Sequence, residues 1–378
     1  MKIVLIGPVF PYRGGIAHFT TGLADQLTSD GHAVTVVSYS KQYPRFLYPG
    51  QSDKVASGKK YEGEVAYLLD PTSPKSWKKT AEFIKTKQPD LVVLQWWVTI
   101  WGLAYKRLAA SLRSLGIPMV AVVHNALPHE TKVWDKPLTR WGLAGIDRYL
   151  VMNLTQKQRL KGLGFAEQRI GFAPHPVFLM DEASQTEAGQ STQADKARKN
   201  LLFFGFVRDY KGLDLLLNAM PEVIKQAPEV RLRVAGEFWE DKQHYLKIIQ
   251  ENHLEGYVTI DDRYIPDDEL PGIFSEADLL VAPYRGGTQS GVIKLAMGFG
   301  LPVLASSIVQ DDFPYAEIGN VLTIDPTDPT QLVNGIMQGL RLQRSSSQAI
   351  NDTHKRSWAV LLQALLASKP SQPQRNDG

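Results

Sequence analysis

The sequence predicts an α/β protein built of two doubly wound domains, and three observations point there. Short β-rich runs alternate with helical segments along the whole chain. Several runs, residues 91–94 and Met119–Val123 among them, are apolar without interruption, as parallel strands covered on both faces require. The alternation halts at Pro174-His175-Pro176 and restarts at Leu201, and 378 residues are enough for two such domains.

The elements follow in order. Lys2–Ile6 reads as a strand, ended by Gly7-Pro8. Residues 17–29 read as a helix, with Phe19, Leu23 and Leu27 at helical spacing and Gly31 as the stop. Strands are expected at 33–38, 91–94, 119–123 and 149–152, with a basic helical stretch at 104–115. In the second half the strands are 201–204, 231–235, 257–260, 279–282 and 303–305. Helices are expected at 213–226, 242–252, 270–274 and 292–298. The polar segment 181–200 reads as a linker or loop, and residues 369–378 as a disordered tail. The domains are therefore placed at 1–176 and 177–350, followed by a C-terminal helix at 351–368 packing back toward the first domain.

Composition narrows the function. With 43% hydrophobic and 21% charged residues the chain is neither disordered nor fibrous. No run of eighteen apolar residues is present to span a membrane. The first apolar run is too short for the core of a signal peptide. Without cysteine the chain has no disulfide, thiolate metal site or thiol nucleophile. The expectation is a cytoplasmic protein, with the inner face of the membrane as a peripheral location. Residues 1–176 hold 23 Lys+Arg against 12 Asp+Glu, or +11, and the remainder carries −8. The positive half suits an acidic substrate or an anionic membrane surface, or is a solvated basic face. Trp96, Trp97 and Trp101, ahead of Lys106, Arg107 and Arg113, suit an anionic interface; buried tryptophans beside a solvated face would read the same way.

Open α/β sheets bind ligands at the carboxyl ends of their strands, so the loops there are the candidate sites. After the first strand, Gly14-Gly15 lets backbone approach a ligand ahead of a helix N-terminus. No Gly-x-Gly-x-x-Gly fingerprint accompanies it, which disfavours a nicotinamide dehydrogenase. After the run 119–123 come His124, Asn125, His129 and Glu130, polar groups able to meet a substrate hydroxyl or a growing charge. Their spacing matches no established metal-ligand pattern, and structural polar packing is the alternative. In the second half, Arg208 and Lys211 beside Gly212 and a helix start suit a diphosphate, or are two solvated charges. Thr288, Gln289, Ser290 and Gly291 lead from a strand into an apolar helix and form a second anion cradle.

Over nearly its whole length the chain resembles the GT-B glycosyltransferases of family 4, also called glycosyltransferase group 1. The match runs through Gly14-Gly15, the phrase Leu23-Ala24…Gly31-His32-Ala33-Val34-Thr35-Val36, His124, Gly205…Lys211-Gly212 and Ala296-Met297-Gly298-Phe299-Gly300-Leu301-Pro302-Val303. Phe206 holds the place of the family's usual arginine, with Arg208 as its substitute. The family usually carries two glutamates separated by seven residues around the last loop; here Gly287 and Leu295 stand at those places. The segments Thr288–Gly291, His124–Glu130 and Gln42–Gly50 resemble a branch of the family that lacks the pair.

The resemblance implies two Rossmann-like domains facing across a cleft and transfer of a sugar from a nucleotide-activated donor, a UDP- or GDP-sugar, with retention at the anomeric carbon. It implies no cofactor and no required metal. The acceptor would be a glycan or a lipid-linked molecule entering past Gly14, Gly15 and His124, and no nucleic acid is expected as a partner. Arg263, Tyr264 and Ile265 fall in the loop that borders the nucleobase in the family. A sugar-nucleotide epimerase on the same fold and a noncatalytic binding protein are the competing readings; turnover of donor without acceptor, or binding without turnover, would separate them.

Overall fold

The computed structural model describes residues 1–43, 52–55, 60–128, 132–179, 198–287, 290–309 and 320–367. They form two compact units, Met1–Pro174 joined by the chain from Trp358 onward, and His175–Ser357.

In the first unit the strands are β1 (Lys2–Ile6), β2 (Ala33–Tyr39), β3 (Val65–Leu69), β4 (Leu91–Trp96), β5 (Met119–Val123), β6 (Arg148–Val151) and β7 (Ile170–Phe172). All pair in parallel, in the order β3-β2-β1-β4-β5-β6-β7. β4 and β5 are buried at every position, which is why they read as unbroken apolar runs. The helices are α1 (Gly15–Ser29), α2 (Pro74–Lys87), α3 (Gly102–Arg113), α4 (Asp135–Leu143) and α5 (Leu154–Gly162). α1 buries Phe19, Leu23 and Leu27, the stripe legible in the sequence. α2 begins at Ser73, whose side chain accepts from the Ser76 N–H, with Pro74 in the first helical position.

Trp96 and Trp101 are completely buried. Trp101 lies 4.3 Å from the Tyr39 ring and stacks on Tyr105 at 5.8 Å. Trp97 is half-buried, and its indole N–H donates to Tyr43 Oη at 2.7 Å. These tryptophans belong to the core, which corrects the reading of them as an interfacial belt. Trp96 ends β4 and Trp97 follows it, and the short helical turn Thr99–Trp101 brings Trp101 against Tyr105 of α3.

The second unit carries β8 (Lys199–Phe204), β9 (Val230–Ala235), β10 (Val258–Asp261), β11 (Leu279–Ala282), β12 (Val303–Ser306) and β13 (Val321–Ile324), again parallel, in the order β10-β9-β8-β11-β12-β13. Its helices are α6 (Leu213–Gln226), α7 (Lys242–Glu251), α8 (Leu270–Glu276), α9 (Gly291–Gly298), α10 (Pro329–Gly339) and α11 (Ser347–Ala367). Lys199 and Asn200 pair in β8 rather than ending the linker, most of which lies outside the described residues, as does the tail. α11 crosses the boundary between the units: Ser357 Oγ accepts from the Val177 N–H at 3.0 Å, and the next residue, Trp358, packs 6.0 Å from the Phe19 ring of α1.

Each sheet reverses its winding direction once, at β1–β4 in the first unit and at β8–β11 in the second. Loops leaving these strand pairs diverge, and the crevice between them is where doubly wound sheets take their ligands.

Candidate functional site

The second unit's switch point brings together the loops after β8 and β11. Arg285 N–H donates to the Tyr210 carbonyl at 2.7 Å, joining the two loops by backbone. Side chains lock the same join: Arg285 Nη1 donates to Asp214 Oδ1 at 2.6 Å, and its other terminal nitrogen pairs with Oδ2. Two glycines let the backbones meet. Gly212 has φ +67, and a Cβ there would lie 2.2 Å from the Pro283 carbonyl oxygen; a Cβ on Gly236 would lie 2.2 Å from the Gly205 carbonyl oxygen. No other residue type fits such contacts.

Lys211 sits at the centre. It is 7% exposed, its Nζ lies 5.7 Å from the centre of the Tyr284 ring, and a Cβ placed on Gly205 would lie 3.0 Å from it. The same Cβ would be 3.3 Å from Val292 Cγ2, so the first turn of α9 is adjacent. Among the described residues the ammonium has no hydrogen-bond acceptor and no carboxylate partner. Burial, and then the nearby charge of Arg208, pull its pKa down to about 7. Arg208 is half-buried, its guanidinium 5.7 Å from the Tyr210 ring centre and 5.9 Å from that of Trp239. A buried ammonium that feels the charge of a neighbouring guanidinium suits an anion.

Ser290 caps α9: its Oγ accepts from the Ile293 N–H at 3.4 Å and lies 3.4 Å from Tyr284 Oη. A Cβ on Gly291 would meet no atom within 4 Å, so the helix start is uncrowded there. Thr288 and Gln289 lie outside the described residues. Of the two places where the family has glutamates, Gly287 takes φ +114 and Leu295 packs into the apolar core, next to a fully buried Lys294.

In the expected nucleobase loop the side chains of two of the three residues are engaged within the unit. Ile265 is 5% exposed among Leu270, Ile273 and Phe274. Arg263 is committed elsewhere: Nε donates to Asp261 Oδ1 and Nη1 to Glu269 Oε1, both at 2.8 Å, and this bonding holds the Glu269 carboxyl below its ordinary pKa. Tyr264 remains beside an aromatic pair invisible in the sequence. Phe206 and Trp239 stack at 4.2 Å, with Tyr264 6.4 Å from Phe206. The signal was the replacement of arginine by phenylalanine at 206.

In the first unit His124 follows β5, as the sequence indicates, but its ring is enclosed. It is 2% exposed, Nε2 is 2.7 Å from Gln95 Oε1, and Phe19 meets it edge-on at 4.7 Å. Gln95 went unnoticed because it sits inside β4, straight after the unbroken apolar run 91–94. Further buried groups fix the loop: Gln156 Oε1 accepts from the Ala126 N–H at 2.8 Å, and Thr139 Oγ1 donates to the Ala126 carbonyl at 3.0 Å. Asn125 is half-buried; His129 and Glu130 lie outside the described residues. Gly14, with φ +101, precedes α1, and a Cβ on it or on Gly15 would meet nothing within 4 Å. Gly14, Gly15 and His124 thus belong to one unit, and Arg208, Lys211, Ser290 and Gly291 to the other.

Comparison with known proteins resolves which chemistry this fold carries. Residues 13–179 match the family model described as Glycosyltransferase Family 4, and residues 198–341 the one described as Glycosyl transferases group 1. The chain belongs to the group 1 glycosyltransferases of family 4. Among its relatives, GDP-mannose:glycolipid 4-beta-D-mannosyltransferase of Xanthomonas campestris pv. campestris is 29% identical over 52% of this chain. The match spans about half that relative's length, also 52%. Phosphatidyl-myo-inositol mannosyltransferase of Mycolicibacterium smegmatis is 25% identical over 94% of the chain and 91% of its own length. Among solved structures, sucrose-phosphate synthase from Thermosynechococcus elongatus superposes with TM-score 0.64 at 17% identity, covering 97% of this chain and 100% of that one. Anabaena HepE in complex with UDP and glucose superposes with TM-score 0.65 at 15% identity, over 97% of each chain. These glycosyltransferases share the GT-B fold with the chain.

Proposed function

We propose that this family 4 glycosyltransferase binds the diphosphate of a nucleotide-activated sugar at Arg208, Lys211 and the start of α9, and passes the sugar to an acceptor hydroxyl with retention. The observation that carries the reading is Lys211, a buried ammonium with no anionic partner among the described residues, beside a second cation at a switch point. In the transfer, the bond from the anomeric carbon to the diphosphate breaks, and the acceptor oxygen bonds to that carbon on the same face. The acceptor O–H bond breaks and its proton passes to the departing diphosphate oxygen on the same face, which leaves with the electron pair of the broken anomeric bond. Arg208, Lys211 and the N–H groups of α9 stabilise the charge that accumulates on it. Phe206, Trp239 and Tyr264 flank the donor on its nucleobase side. The first unit serves the acceptor through Gly14, Gly15 and Asn125, and His124 contacts the transferring sugar.

The donor favoured is a GDP-sugar, because the two relatives described above are named as mannosyltransferases, one of them GDP-mannose dependent. Both of those names also specify lipid acceptors, which favours a lipid-linked acceptor here. The test is a melting-temperature panel of GDP, UDP, ADP and their sugars, followed by transfer assays with the sugar that binds. Stabilisation by GDP in preference to UDP, at matched concentration, is the expected outcome. Stabilisation by UDP alone would replace the donor, and none by any nucleoside diphosphate would remove the site.

A further inference from the structure

We infer that Gln95 is a positioning residue for the transfer: its amide holds the His124 ring with a proton on Nε2 and the lone pair on Nδ1. The inference rests on the role proposed for His124 and adds the group that sets it. The observation is a single amide in a strand that is otherwise apolar. β4 is buried at every position, and Gln95 is 0% exposed between Leu94 and Trp96. An amide in such a strand is unfavourable unless both of its ends are hydrogen-bonded. Here one end is and the other is not. Oε1 lies 2.7 Å from His124 Nε2, whereas the amide nitrogen is buried with no hydrogen-bond partner. Among the described residues the contact with the histidine is therefore the one hydrogen bond that this side chain makes.

The surroundings leave the amide one place to be. Val122 stands opposite Gln95 in the pairing of β4 with β5, and His124, two residues further on, shares that side of the sheet. The His124 N–H donates to the Trp96 carbonyl at 2.8 Å, so the pairing runs on past the end of β5. On the other flank β1 is followed by Gly7. A Cβ there would lie 2.6 Å from Gln95 Cγ and 2.9 Å from Thr20 Oγ1, so the glutamine stem and α1 fill the space that a larger residue would need. Thr20 is itself fully buried, its Oγ1 donating to the Ile16 carbonyl at 2.8 Å. The Gln95 carbonyl accepts from Tyr105 Oη at 3.1 Å, and Phe19 meets the imidazole edge-on at 4.7 Å. Main chain, stem and ring are each fixed by a different neighbour, as a group held for its geometry requires.

The chemistry of the contact sets the ring. An amide oxygen only accepts, so Nε2 of His124 is the donor across the 2.7 Å. A neutral imidazole carries one proton, and with that proton on Nε2 the lone pair stands on Nδ1. Through Nδ1 such a ring accepts from a hydroxyl and has no proton to give. The identity of the partner matters as much as its place. A carboxylate at residue 95 would favour a second proton on the ring, whereas an amide orients the imidazole without adding charge to it.

The test pairs a ring spectrum with kinetics. In the full chain with 15N-labelled histidine, long-range proton–nitrogen spectra show which ring nitrogen is protonated, and the His124 signals are identified by their loss in His124→Ala. We expect the Nε2–H form in the unaltered chain. Gln95→Met keeps the size of the side chain and removes the acceptor, so the Nδ1–H form should appear in its spectrum. Its kcat should fall about tenfold, the scale of a lost partner that orients a histidine, with donor KM and nucleoside diphosphate affinity held within about twofold. A ring protonated on Nδ1 in the unaltered chain would overturn the proposal. So would a Gln95→Met protein with the ring spectrum unchanged, or with normal turnover. Should Gln95→Met not fold, the spectrum of the unaltered chain decides alone. The two readings fail separately: an inactive His124→Ala beside a fully active Gln95→Met removes the role of Gln95 and keeps that of His124, whereas an active His124→Ala removes both.

Discussion

Lys211 is held where an ammonium is poorly solvated, and the cost falls on the free protein. Its pKa in water is 10.5 and in the fold about 7, so the unfolded chain binds the proton more tightly. The penalty is full below pH 7 and fades as pH rises toward 10.5, which adds a positive slope to stability across that window. At 1.36 kcal/mol per pKa unit it amounts to on the order of 4 kcal/mol at neutral pH. Lys211→Met should therefore raise the melting temperature and flatten that slope, while weakening nucleoside diphosphate binding by about 2–3 kcal/mol, the worth of a charge-assisted bond. A variant that melts lower and binds normally would return Lys211 to an ordinary structural role. Because a bound diphosphate needs the ammonium, binding near pH 7 should take up roughly half a proton, and affinity should fall as pH rises above 7. Calorimetry in two buffers of different ionisation enthalpy measures that uptake. For His124, pinned between Gln95 and Phe19, replacement by alanine should cut turnover about 10²-fold with diphosphate affinity preserved, since the cations lie in the other unit. Near-normal transfer by a folded His124→Ala protein would make the residue structural.

Among the elements, those that were legible in the sequence are the ones buried on both faces or striped on one. β4, β5, β8 and β11 announce themselves as apolar runs, and α1 and α6 by spacing, because burial alone decides those residues. The unread elements lack that signal. β3 is an edge strand, half-buried at four of its five positions, and α2 is so rich in lysine that its apolar stripe of Trp77, Ala81 and Ile84 is diluted. α4 misleads outright, for its large apolar side chains point outward. The site was legible in its cations and glycines and illegible in its supports: Gln95, Gln156 and the Asp214–Arg285 pair act through contacts between elements far apart in sequence. The join between the β8 and β11 loops depends on Gly212. Gly212→Ala drives a methyl group into the Pro283 carbonyl and must part the loops. We expect a loss of about 2–4 kcal/mol in stability with weakened diphosphate binding, read by chemical denaturation and calorimetry on the same sample. A variant unchanged in both would show that the loops yield without consequence.

At the scale of the molecule, the first unit is discontinuous. Its sheet is complete by Phe172, yet Trp358, 2% exposed, packs on Phe19, which in turn meets the His124 ring. Trp358→Ala should cost about 3–5 kcal/mol, as for other large aromatic deletions from a core. It should lower turnover while diphosphate affinity per folded molecule holds, which equilibrium denaturation and titration calorimetry together would establish. Weakened diphosphate binding in the folded variant would mean that the helix governs the other unit instead. The same path of the chain has a consequence during synthesis. The second unit, His175–Ser357, is contiguous and can fold as it emerges, whereas the first must wait for everything that separates Pro174 from Trp358. At roughly 5–20 residues per second that wait is on the order of 10–40 s, during which the apolar patch around Phe19 stands uncovered on the ribosome. A nascent chain interrupted in that interval would hold a finished donor-side unit and an unsealed partner, an exposed surface by which folding factors and proteases can tell it from the completed enzyme.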